Sequence, residues 1–138
     1  MTTDKFAEYV LSEHERIISE TSTDIAKAAD RDYLVSGISQ ADLQAPVTRK
    51  FAAVILHRAM QRLTREEDED WGIAKGFRDI YDCRVCANAV AQVAAKGILP
   101  PMTDNFFGMT DVLTDEKASK TIIRLYNKAQ RITKLLES

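Results

Sequence analysis

Val47-Thr48-Arg49-Lys50-Phe51-Ala52 and Leu113-Thr114-Asp115-Glu116-Lys117-Ala118 are the two stretches on which the fold turns. Each places an apolar residue, a threonine and charged residues ahead of an amphipathic run. Threonine at such a point is a natural N-cap, because its hydroxyl can accept from the first-turn amides. Asp115 and Glu116 suit the positive end of the helix dipole. Past the caps the register holds without a gap: Leu56, Arg58, Gln61 and Arg62 correspond to Ile122, Arg124, Asn127 and Lys128. Phe51, Ala52, Ile55, Leu56, Ala59 and Leu63 form one apolar stripe, so the first of these helices is expected to run to Arg65.

Working outward, Ile25 to Leu34 aligns with Val90 to Leu99 after one extra loop residue. Each unit then reads as helix, loop of about ten residues and capped helix. A helix pair cannot bury its apolar faces alone, so the two units should pack on each other. The first unit opens at Thr23-Asp24 and its first helix stops near Val35-Ser36-Gly37, with a loop from Ile38 to Pro46. In the second unit Asp82 is expected to cap a helix from Cys83 to Lys96. Gly97 follows as its C′ residue, and Pro100-Pro101 block continuation. Ala118, Ile122, Leu125, Tyr126, Ala129, Ile132 and Leu136 predict the buried stripe of the last helix. Before all this, Phe6, Tyr9, Val10, Ile17 and Ile18 have helical spacing from Asp4 to Glu20. The expectation is an all-α single domain over 1–138. It comprises an N-terminal helix (1–21), unit one (22–65), an acidic connector (66–76) and unit two (77–138).

Composition agrees with this class. The 138 residues carry 19 Lys+Arg and 21 Asp+Glu, a net charge of −2, with only five Gly and three Pro. Scarce Gly and Pro disfavour a hairpin-rich β fold. Near-neutral charge gives no reason to expect nucleic acid as the partner. No run of 18 apolar residues exists, so no membrane insertion is expected. The N-terminus lacks a basic n-region and an apolar h-region. As the sequence stands the expected location is cytoplasmic, or the cell surface if the chain is a piece of an exported protein.

The second unit resembles an S-layer homology (SLH) domain over 77–127. That family opens with Phe-x-Asp-Ile/Val, matched by Phe77-Arg78-Asp79-Ile80. An Ala-Ile pair with Gly seven residues on is matched by Ala89-Val90 and Gly97-Ile98-Leu99. A loop-ending Phe six residues before Ile-Thr-Arg-Ala-Glu is matched by Phe107 and Leu113-Thr114-Asp115-Glu116-Lys117. The first unit (23–65) matches in its second half, through Val47-Thr48-Arg49. The resemblance implies binding of an acidic, pyruvate-bearing cell-wall polysaccharide, with the motif Arg at a helix start. There a guanidinium and helix amides would converge on a carboxylate. The chain departs from the pattern at several positions. Asp115 stands where the second motif has Arg, Phe51 where the first has Glu, and Val85 at the family Trp. Members usually carry three units, against two here.

The ligand-binding residues expected are therefore Thr48, Arg49 and Thr114, with Trp71 and Phe107 as stacking rings or as plugs of the core ends. Cys83-Arg84-Val85-Cys86 is a CxxC that could be a redox pair or half of a zinc site with His14 and His57. The reading preferred from sequence is two buried thiols, with no disulfide framework. Glu66 to Asp70 lacks calcium-loop spacing and is expected to be a solvated linker. His57 lacks a nucleophile and an orienter, and reads as structural; His14 is expected to be exposed. Lys117, Lys120, Arg124, Lys128, Arg131 and Lys134 form a basic face, either solvated and paired with the acidic run or a patch for an acidic partner. No catalytic residue, metal ligand or cofactor is expected. The function expected is a non-enzymatic binding module for an acidic glycan. The second reading is a helical protein-interaction or homo-oligomerisation module that has lost the glycan site.

Overall fold

The computed structural model describes residues 1–132. Six α-helices and no β-strand occur among them, so the fold is all-α. Helix α1 (Thr3–Ile18) is capped by the Thr2 hydroxyl, which accepts from the Lys5 amide at 3.2 Å. It buries Phe6, Ala7 and Val10. Helix α2 (Asp24–Val35) is capped by Thr23, accepting from Ala26 at 3.1 Å, and buries only Leu34 and Val35 at its far end. The expected loop 38–46 contains a short helix, α3 (Gln40–Gln44). Ser39 caps it and Leu43 anchors it in the core.

Helix α4 (Arg49–Ala59) is buried on nearly every side and continues as a π-helical turn, Met60–Thr64. Arg65, at φ 56°, ends it, and the Glu66 amide bonds back to the Met60 carbonyl. Its partner at the centre is α5 (Ala87–Ala95), which buries Ala87, Ala89, Val90, Ala91, Val93 and Ala94. The expected Asp82 cap is replaced by other local structure. Cys83 and Cys86 are joined in a disulfide with Cα atoms 5.2 Å apart. They wind the segment into a 3₁₀ turn, Arg84–Cys86, with the Cys86 amide bonded to the Cys83 carbonyl at 3.1 Å. Helix α5 begins only after that turn. The expectation of two buried thiols is corrected in the same way.

Helix α6 (Asp115–Tyr126) starts as expected, the Thr114 hydroxyl accepting from Lys117 at 3.3 Å. It stops at Tyr126, ten residues short of Leu136. Asn127 adopts an extended conformation and its side chain accepts from the Ala129 amide, opening a 3₁₀ turn over Lys128–Gln130. Ala118, Ile122 and Leu125 are buried as the stripe predicts, but Ala129 is exposed. Leu136 and Lys134 lie outside the described residues. The Ile132 amide bonds to the Gly97 carbonyl. A Cβ on Gly97 would sit 2.2 Å from the Ile132 carbonyl oxygen. Gly97, at φ +73°, therefore ends α5 and also admits this close strand-like contact.

Buried apolar residues from Phe6 in α1 to Leu125 in α6 form one connected cluster. The expected exposure of His14 is also corrected. It is half-buried and shares a hydrogen bond with the Tyr126 hydroxyl, linking α1 to α6. Burial pushes the Tyr126 hydroxyl well above its ordinary range.

Candidate functional site

The start of α4 is where three of the expected ligand residues meet. Thr48 occupies the N-cap, but its hydroxyl accepts from no first-turn amide and is buried without a hydrogen-bond partner. Two of the first-turn amides are held by carbonyls from elsewhere. Arg49 donates its backbone N–H to the Asp111 carbonyl at 2.9 Å, and Lys50 to that of Met109 at 3.0 Å. The Leu113 amide bonds in return to Val47. The two motif segments thus run antiparallel to each other, with Thr48 bridged to Val112. A loop 60 residues away satisfies the positive end of α4, which no local rule about capping can see.

Arg49 follows the same inward logic. Its side chain is buried, with the residue only 2% exposed. Its Nε donates to the Phe107 carbonyl at 3.1 Å and its Nη2 to the Pro100 carbonyl. The guanidinium lies 4.7 Å from the centre of the Phe107 ring. Phe107 itself is fully buried beside Phe77. The second buried charge on this loop, Asp79, arrives from the opposite side. Its carboxylate accepts from the amides of Phe107, Gly108 and Met109 at 3.0, 2.9 and 3.3 Å. One peptide unit is therefore clamped twice: the Gly108 N–H by Asp79 and the Phe107 C=O by Arg49. Gly108 is required there, because a Cβ would meet Asp111 Oδ2 and Met102 Cγ, each at 2.6 Å.

Thr114 lies next to this junction in the chain but is exposed, and its hydroxyl is occupied by its own helix. Asp115 beside it pairs with the amino terminus of Met1 at 2.6 Å.

Trp71 is placed in a separate group. Its Nε1 donates to Asn88 Oδ1 at 3.0 Å and its ring is 6.3 Å from that of Tyr81. With Arg84, Ala87 and Asn88 these rings line an open groove of about 380 Å³. Beneath it runs a polar network. Asn88 donates to Asp68 at 2.9 Å, Asp68 contacts His57 Nε2 at 2.7 Å, and the Gln92 side chain pairs with both backbone groups of Glu69. Burial raises the Asp68 carboxyl, but hydrogen bonds from Asn88 and His57 outweigh it and hold the group below its ordinary value.

The acidic run is exposed from Glu67 to Asp70, as expected, but it is also tied down at several points. Glu66 receives Arg131 through two bonds of 2.5 and 2.7 Å, and Lys96 Nζ lies 3.7 Å away. The pairing of basic face and acidic run occurs here. Arg131 and Arg124 are largely buried, so the face is not one exposed patch. Asp79, Gln92 and Tyr81 were missed as site residues. Asp79 was visible in the Phe77-Arg78-Asp79-Ile80 motif. Gln92 was visible as a lone polar residue in an apolar run, a position that demands partners.

Among the described residues no cluster of His, Cys, Asp or Glu could hold a metal ion, and no helix is long and apolar enough to cross a membrane. The chain matches no protein-family model, no curated protein and no solved structure.

Proposed function

We propose that the chain is a non-enzymatic protein-interaction module on an SLH-like helical frame, in which the arginine at the family's sugar-binding position is structural. One observation carries this reading. The Arg49 guanidinium is turned inward onto two backbone carbonyls, and the first amides of α4 are occupied by Asp111 and Met109. An anionic sugar would have to displace a buried cation from partners that it cannot abandon without cost. Exposed apolar side chains offer the alternative. Ile17, Ile18 and Ile25 are exposed at the α1–α2 corner, with Ile25 at 85%. Such side chains serve a protein partner or a second copy better than they serve a polysaccharide.

The glycan reading retains one supporting observation, the open groove of Trp71, Tyr81 and Arg84, which has rings for stacking and a guanidinium for an acid group. Titration with a pyruvylated cell-wall disaccharide by calorimetry separates the two. No saturable binding is expected for the native chain, while Arg49→Met lowers thermal stability. Saturable binding that disappears in Arg49→Met, with stability unchanged, would overturn the interaction reading. So would binding that disappears in Trp71→Ala.

A further inference from the structure

The two sulfurs of the Cys83–Cys86 disulfide occupy different surroundings. Cys86 is 2% exposed and belongs to the apolar cluster between α4 and α5. Cys83 is half-buried, and the residues around it in the chain, Tyr81, Asp82, Arg84 and Val85, are all exposed. Val85, between the two cysteines, is 94% exposed. An incoming sulfur can therefore reach Cys83 and not Cys86. The second asymmetry is electrostatic. Cys86 is the N-cap residue of α5, so it stands at the positive end of that helix dipole. A thiolate released there is stabilised, which makes Cys86 the better leaving group. No other cysteine exists in the chain, so nothing internal competes for the pair.

The geometry points to Cys83–Cys86 as a thiol–disulfide exchange site that accepts two electrons from a dithiol through attack at Cys83. In the first step a thiolate of the dithiol attacks Cys83 Sγ. A new S–S bond forms to Cys83, the Cys83–Cys86 bond breaks, and its electron pair remains on Cys86 as thiolate. In the second step the other thiol of the dithiol, deprotonated, attacks its own sulfur in the mixed disulfide. That closes the dithiol's internal disulfide and expels Cys83 as thiolate. The two protons given up by the dithiol end on Cys83 and Cys86. The dithiol is oxidised by two electrons and the chain is reduced by two. This exchange is stoichiometric and uses neither Arg49 nor the α1–α2 corner. Its partner class is a small or protein dithiol that can lay a sulfur beside the exposed Tyr81 and Val85.

Glutathione supplies a single thiol and cannot close a disulfide within itself, so an acid quench can trap the mixed disulfide before Cys86 or a second glutathione displaces it. The native chain is incubated with glutathione, quenched in acid, and the adduct mapped by peptide mass spectrometry. The adduct is expected on Cys83 over Cys86 by at least about tenfold, because only one sulfur is reachable and only one leaves at a helix N-terminus. Cys86→Ser, which retains Cys83 alone and is loaded with oxidised glutathione so that one glutathione thiol leaves, is expected to hold the adduct, whereas the native chain expels it when Cys86 returns. Reduction by dithiothreitol should proceed at the same rate with and without sub-denaturing urea. An adduct shared equally, an adduct on Cys86, or a disulfide that opens only as urea unfolds the chain overturns the proposal. The native-chain measurements decide it even if Cys86→Ser does not fold.

Discussion

Replacing Asp79 by alanine removes the one acceptor shared by three buried amides, those of Phe107, Gly108 and Met109. Each amide left unpaired away from water costs about 1–3 kcal/mol. Taking the lower part of that range, because water can enter the gap left by an alanine, the loss is about 3–5 kcal/mol. A domain has only about 5–15 kcal/mol in total, so the variant should be marginal at room temperature. Asp79→Asn is a gentler probe. It retains one carbonyl oxygen, but turns an NH₂ group toward at least one backbone N–H, and should cost about 2 kcal/mol. Urea unfolding followed by circular dichroism reads both. With a slope of about 1–3 kcal/mol per molar urea, the alanine variant's midpoint should fall by roughly 2 M. The clamp on Phe107 adds a sharper requirement. Asp79 and Arg49 hold opposite ends of one peptide unit, so their losses should not add. In a double-mutant cycle with Arg49→Met the coupling should be about 1 kcal/mol or more. Additivity within about 0.5 kcal/mol, or an Asp79→Ala midpoint equal to the native one, would refute the idea that these two buried charges jointly hold the loop.

Glu66 titrates below its ordinary value of 4.5, chiefly because Arg131 hydrogen-bonds to it, with burial opposing. A carboxylate depressed by folding stabilises above its unfolded value and loses that contribution as pH falls through the folded one. Glu66→Gln should therefore cost about 2 kcal/mol near pH 7 and progressively less below about pH 4, read by thermal melts across pH. A cost independent of pH would contradict the ion-pair account. Gly97→Ala and Gly37→Ala both place a side chain at positive φ, but only Gly97 has backbone within contact. Gly37→Ala should cost about 1 kcal/mol and Gly97→Ala about 2 kcal/mol more, with loss of protection at the Ile132 amide in hydrogen exchange. Equal costs would mean that the Ile132 contact is readily surrendered.

Local chemistry made part of the fold legible. Thr23 and Thr114 cap the helices they were expected to cap, because that bond closes within three residues. Ala52, Ile55, Leu56 and Ala59 of the α4 stripe are buried as their spacing predicts, whereas Phe51 and Leu63 are half-buried. What could not be read depends on partners distant in sequence. Thr48 looks identical to Thr114 in its motif, yet its hydroxyl accepts from no first-turn amide, and the carbonyls of Asp111 and Met109 hold those of Arg49 and Lys50. Arg49 looks like a ligand residue, and Phe107 and Pro100 make it a bracket. Asp82 has the right chemistry for a cap, but the disulfide that starts at the next residue accompanies a tighter turn. The candidate site suffers most from this. Arg49 and Phe107 were both expected at the ligand site, and in the structure they face each other rather than solvent.

The near-zero net charge has the same physical origin as these corrections. Five acidic residues in a row, Glu66 to Asp70, would repel one another as a free linker. Instead most are matched by groups from separate elements. Glu66 meets Arg131 and Lys96, Asp68 meets His57 of α4 and Asn88 of α5, and Asp70 meets Lys75. Lys96 has a side chain only 1% exposed, and the Glu67 carbonyl accepts from its ammonium. A lysine so enclosed needs an anion and hydrogen-bond acceptors around its head group. The connector supplies them on the same side of the molecule where Trp71 and Gln92 are held. It is thus a strap across α4 and α5, and its charge sequence follows from the cations it must neutralise. The cost of the strap is that acid should loosen it before the apolar cluster of α1, α4 and α5. The groove beside Cys83 is tied to the strap through Asn88 and Trp71, so it is the first surface that such loosening would reshape.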